Sequence, residues 1–151
     1  MNETVPSDSA APTPIAADRK IVIVMSSTLP RGASDNRAAV LATGLAFKHP
    51  EIIGPPPVTA DGVEISAFTS MPIVVLSTPS DCSLVELSQR ATTAGCTCLI
   101  FLQRAQGMRS YEAYRESISS SRFDTLDIDA ALFLGEKRII NKLTGSFPSF
   151  R

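Results

Sequence analysis

Two short polar constellations in the 151-residue chain have residue types and spacing suited to chemistry. The first is Arg31-Gly32 followed by Asn36, just beyond an unbroken apolar run at residues 20–25. A guanidinium beside a helix start pairs its fork of donors with free backbone N–H groups, and together they attract a carboxylate or phosphate. Arg31 reads equally as a surface arginine beside a turn proline, and Asn36 either orients a carbonyl or contributes to capping. The second constellation is Asn141-Lys142-Leu143-Thr144-Gly145. A cationic last helical turn closed by glycine accounts for it structurally. If this segment lies near the first loop, Lys142 and Thr144 become polar wall residues of one site.

The remaining reactive side chains are few. His49, the single histidine, falls at a helix end, where the dipole stabilises its charged form. Cys82 falls near a helix N-terminus, a position that lowers a thiol pKa, but has no histidine close to it in sequence. Cys96 and Cys98 share one face of a strand, which suits core packing. There is no Gly-x-Gly-x-x-Gly and no P-loop, so no cofactor is expected. With one histidine and no second Cys/His cluster, no metal site is expected either.

The elements that position these residues follow from hydrophobic periodicity. Residues 20–25 (KIVIVM) read as a strand covered on both faces. Leu29-Pro30-Arg31-Gly32 reads as a turn, and Ser34-Asp35-Asn36 as cap residues of a helix ending near Lys48, before His49-Pro50. Residues 72–77, 96–102 and 127–134 are three further strands, with short extended pieces at 58–59 and 63–68 around the Asp61-Gly62 turn. Helices are predicted over 80–94, opened by Ser80-Asp81 with the capping pattern Ser83-x-x-Glu86 one turn in, over 110–119, and over 136–143. Helices alternating with apolar strands predict an α/β fold: a three-layer domain with a four-stranded mixed sheet. Residues 1–18, rich in Ser, Ala and Pro, read as a flexible tail, and 19–151 as a single domain.

Charge narrows the partners. A net charge of −1 gives no global attraction to nucleic acid or to an acidic membrane. Residues 102–151 hold eight Lys/Arg against six Asp/Glu, an excess too small to define a basic face. No apolar run approaches membrane-span length, so no membrane partner is expected. An odd count of three cysteines and no basic start followed by an apolar core point to a reducing cytoplasmic location.

Several of these segments resemble known families. The strand at 20–25, the loop with Gly32, and the small residues Ala38, Ala39, Ala42 and Gly44 are similar to the opening of the second class of peptidyl-tRNA hydrolase. Ile139-Ile140-Asn141-Lys142-Leu143-Thr144-Gly145 is similar to that family's closing helix. The likeness spans residues 20–148, with an insertion around 109–123, and implies the hydrolase fold and a homodimer. A closer resemblance is to domain of unknown function 2000, carried by Leu29-Pro30-Arg31-Gly32, Asn36, His49-Pro50 and the 141–145 segment. The hydrolase's functional positions are replaced: its glycine–lysine loop is Gly32-Ala33-Ser34-Asp35, its helix histidine falls near Ala42 or Thr43, and its aspartate falls near Arg104. Peptidyl-tRNA hydrolysis is therefore not expected, since the ester has neither its anchor nor its base.

Two functional readings remain. One is a cofactor-free site at Arg31, Gly32 and Asn36, with Asn141, Lys142 and Thr144. It would bind a small anionic or carbonyl compound, with isomerase- or hydrolase-like acid/base chemistry or with binding only. The other is a non-catalytic protein- or RNA-interaction module on a hydrolase-like fold.

Overall fold

A computed structural model describes residues 18–151. Four strands form one mixed sheet in the order β2-β1-β4-β3, with β1 (Arg19–Met25), β2 (Ile73–Ser77), β3 (Thr97–Leu102) and β4 (Ile128–Glu136). β1 pairs in parallel with β2 and antiparallel with β4, and β4 pairs antiparallel with β3. The unbroken apolar runs of β1 and β4 are explained by this order, because both strands are central and covered on both faces. Ile21 to Met25 and Ala130 to Leu134 are all essentially inaccessible to solvent.

Helices cover both faces, which makes three layers. On one face α1 (Arg31–Lys48) packs Leu41 and Leu45 against Ile21, Ile23, Leu132 and Leu134. On the other, α2 (Leu84–Thr93) and α4 (Lys137–Thr144) pack Leu87, Ala91 and Ile140 against Val22, Val24 and Phe133. α3 (Tyr111–Ser119) follows β3, with Ser110 Oγ accepting from the Ala113 N–H as its cap. The expected three-layer α/β domain with a four-stranded mixed sheet is thus observed.

Two helix starts differ from expectation. α1 begins at Arg31, with Pro30 in extended geometry as its N-cap and no side-chain cap. Ser34, Asp35 and Asn36 therefore lie inside the helix, and Ser34 Oγ donates to the Arg31 carbonyl (2.6 Å). Proline is favoured around a helix start because its φ is already set and its missing donor is not needed there. α2 begins at Leu84, because Ser83 Oγ accepts from the Glu86 N–H (3.3 Å), so the capping pattern marks the start itself. Gly95, just past this helix, takes φ +82°, the left-handed conformation that closes a helix with little strain only when the residue is glycine.

The extended pieces expected near Val63 do not join the sheet and form only isolated bridges, Val58 with Glu64 and Ile53 with Thr69. The outer edge of β2 is instead covered by the end of the chain: the Ser77 N–H donates to the Pro148 carbonyl (2.8 Å) and the Phe150 N–H to the Val75 carbonyl (3.2 Å). The tail expected at residues 1–18 lies outside the described residues except for Asp18. Among the described residues no helix is long and apolar enough to cross a membrane.

Candidate functional site

The loop beyond β1 is held by hydroxyl groups. The Ser27 N–H donates to Thr78 Oγ1 (3.0 Å), the Thr78 N–H donates to the Met25 carbonyl (2.9 Å), and Ser26 Oγ lies 3.0 Å from Thr28 Oγ1. These bonds tie the C-terminal ends of the two parallel strands together. Arg31, Gly32 and Asn36 follow on the first turns of α1, and all three are exposed.

The charged group that this end of the sheet does enclose is Arg37. It shares the inward stripe of α1 with Ser34, Leu41 and Leu45 and is only 2% exposed. Its Nε and Nη2 reach the two carboxylate oxygens of Asp129 at 3.3 and 2.8 Å, and Nη2 also donates to Gln106 Oε1 (3.1 Å). The guanidinium carbon sits 4.5 Å from the centre of the Phe101 ring. This forked pair with a stacked face is the arrangement that lets a cation be buried, since almost every polar direction is answered. The sequence carried a signal for it: an arginine in helical register with Leu41 and Leu45, and an aspartate inside the apolar run that becomes β4. Nearby, Arg104 is likewise committed, its Nε to Asp127 and its Nη1 to Ser121 Oγ.

The second constellation lies on the other face of the sheet. α4 starts where β4 ends, and β4 is antiparallel to β1, so Asn141 meets the beginning of β1, where its Oδ1 accepts from Lys20 Nζ (2.8 Å). Thr144 is buried and donates its hydroxyl to the Ile140 carbonyl (2.8 Å). The structure therefore does not join Arg31, Gly32 and Asn36 to Asn141, Lys142 and Thr144. The sheet stands between the two sets.

Lys142 does border a cleft. α2 and α4 border a groove of about 810 Å³ lined by the half-buried Ile139 and Leu143, the exposed Ala94, and the exposed cations Arg90, Arg138 and Lys142. Gln89 and Thr93 add uncharged polar groups, and Glu86 is the one acid. None of the three cations forms an ion pair within 4.0 Å among the described residues. A smaller depression of about 280 Å³ shares Glu86, Arg90 and Leu143 and extends the groove towards Cys82 and Phe147. Arg90 escaped sequence reasoning, because the helix that carries it meets α4 only in the folded chain.

The thiol at the end of the groove is not activated. Burial and the neighbouring Asp81 carboxylate push the Cys82 thiol up, outweighing Arg90. Burial likewise raises Cys96 and Cys98. Because the thiolate is the reactive form, iodoacetamide is expected to alkylate native Cys82 more slowly at pH 8 than an unstructured cysteine peptide. Mass-spectrometric rates under native and unfolding conditions check this, and faster labelling in the native state would contradict it.

His49 joins the end of α1 to β3. Its Nδ1 lies 2.9 Å from Glu51 Oε1 and its Nε2 lies 2.8 Å from Thr97 Oγ1. The hydrogen bond from His49 holds the Glu51 carboxyl below its usual range, with Arg19 helping. Its neighbours make this a tie between elements at the far end of the sheet from the Arg37 cluster.

Fold and groove together define a small three-layer α/β protein with a cationic cleft on one face. The chain belongs to the family described as Protein of unknown function (DUF2000), which matches residues 19–151. Among solved structures it is similar to the protein of unknown function Atu0240 from Agrobacterium tumefaciens strain C58. The identity is 23% and the TM-score 0.78, over 89% of this chain and 98% of that one, a likeness of fold. No curated protein sequence matches the chain.

Proposed function

We propose that this protein binds a small organic anion, a carboxylate or phosphate ester with an apolar body, in the groove between α2 and α4. The observation that carries the reading is a set of three cations, unpaired among the described residues, beside the apolar side chains Ile139 and Leu143 in a cleft of about 810 Å³. Ligand pockets are typically about 300–1,000 Å³, mostly apolar, with a few polar groups that fix orientation. The cations would take the anionic head, while Ile139 and Leu143 would lie under the body.

Binding without turnover fits the lining best, because the groove holds no imidazole and its one nearby thiol is held protonated. Peptidyl-tRNA hydrolysis stays outside the proposal: where the hydrolase has an acid, Arg104 stands, engaged by Asp127. The three free thiols support a reducing, cytoplasmic setting. The homodimer implied by the hydrolase resemblance is a separate reading, independent of the groove.

A thermal-shift panel of short-chain fatty acids, aryl carboxylates and aryl phosphates tests this, since a ligand of the folded state raises its apparent stability. The expected result is stabilisation of the wild type by at least one such anion, lost on Arg138→Ala with Lys142→Ala and kept on Arg31→Ala. Loss with Arg31→Ala alone would move the site to the start of α1. The basic run Lys137, Arg138 and Lys142 on α4 favours RNA as the second reading. Binding of an oligonucleotide that weakens steeply with salt, with no response to the small anions, would select it.

A further inference from the structure

The two edges of the sheet are treated differently. The outer edge of β2 is closed by residues 148–150, whereas no described backbone group hydrogen-bonds to the outward side of Thr97 to Phe101 in β3. β3 reads Thr-Cys-Leu-Ile-Phe-Leu, with no lysine, proline or inward charge to discourage pairing. Its first five residues are only half-buried although four of them are apolar or weakly polar core types.

α1 extends the apolar surface beside this edge. A Cβ on Gly44 would lie 2.9 Å from Leu99 Cδ2, and Arg37 stacks on Phe101, so this flank of α1 lies over β3. At about 100° per residue, Val40 and Phe47 lie a further ~40–60° around the helix, on the side that overhangs the open edge. They are 49% and 91% exposed. From Ala38 to Phe47 the helix carries no charged residue.

We infer that the β3 edge and the Val40/Phe47 flank of α1 form an interface with a second copy of this chain, β3 pairing antiparallel with its symmetry mate about a two-fold axis near Leu99 and Ile100. Three features favour a second copy over an unrelated strand. The flank of α1 from Ala38 to Phe47 has no charge, so meeting itself there brings no like-charge repulsion. Arg37 lies against Phe101 and His49 against Thr97, so α1 runs antiparallel to β3 and its midpoint lies over the strand's centre. Val40 and Phe47 bracket that midpoint, and the two-fold axis therefore sets Val40 of one protomer against Phe47 of its partner. Spacing also fits. Strands stand about 4.8 Å apart, so a helix seated over β3 and β4 lies about 5 Å from the axis. The two α1 helices would then be about 10 Å apart, which is an ordinary helix-packing distance. The result is an isologous dimer that doubles the four-stranded sheet and leaves no open β3 edge.

Sedimentation equilibrium of the full chain from micromolar to hundreds of micromolar tests this. The expected wild-type species is twice the 16.1 kDa chain mass. Phe47→Glu, which alters a side chain exposed in the protomer, is expected to raise the dissociation constant about 30-fold or more while leaving the circular dichroism unchanged. Val40→Glu should act in the same direction. Amide exchange across Thr97 to Phe101 should be slowed in the wild-type dimer and fast in Phe47→Glu. A wild type that stays monomeric throughout, or a dimer indifferent to both substitutions, would overturn the inference. Anion binding by a monomeric Phe47→Glu protein would leave the groove reading intact, so the two claims fail separately.

Discussion

Replacing Arg37 by alanine is expected to remove about 3–5 kcal/mol of folding stability, because the change leaves the Asp129 carboxylate buried without its partner. Asp129 is 7% exposed, and the guanidinium supplies both of its charge-assisted bonds. Asp129→Ala should cost a similar amount, by stranding the cation between Phe101 and the core. The double change Arg37→Leu with Asp129→Leu should recover much of either loss, since replacing both charges removes the desolvation cost along with the attraction. Urea unfolding of these proteins, with Arg37→Leu and Asp129→Leu alone to close the cycle, measures the coupling. A single-mutant loss below about 1 kcal/mol would place the pair with exposed bridges, whose contribution is small.

Phe133→Ala is expected to be the other large loss, about 3–5 kcal/mol, because it deletes the largest fully buried side chain and leaves a cavity. Phe133 lies in the central strand β4, opposite Val22 of β1 and Cys98 of β3. It belongs to the cluster that also holds Leu87, Ala91, Ile140 and Leu143, and these residues seat the two helices that wall the groove. The same substitution should therefore weaken anion binding while the Arg37 cluster, on the opposite face, stays folded. Chemical denaturation reports the first effect and titration calorimetry the second. Full-affinity binding by a strongly destabilised Phe133→Ala would separate the groove from this core.

The strands were legible because β1 and β4 are buried on both faces, and a continuous run of Val, Ile and Leu admits few other readings. Helix starts were less so. Leu29-Pro30-Arg31-Gly32 has the composition of a turn, yet Pro30 caps α1 and Gly32 lies inside it. The buried ion pair was present in sequence as an arginine at the position four before Leu41, but its aspartate stands 92 residues away. Only the sheet register brings Asp129 to it. The groove was least legible of all: Lys142 was recognisable as a cation in a last helical turn, but Arg90 joins it only through the packing of α2 against α4 on one face. The same layer arrangement separates Arg31 and Asn36 from Asn141 and Thr144, a separation that hydrophobic periodicity does not encode.

The most direct measurement is a backbone amide NMR titration with whichever anion stabilises the protein. Shift changes are expected to concentrate on Glu86 to Ala94 and Arg138 to Leu143, the walls of the groove, and to disappear in Arg138→Ala with Lys142→Ala. Changes confined to Arg31, Gly32 and Asn36, with the groove residues unmoved, would contradict it.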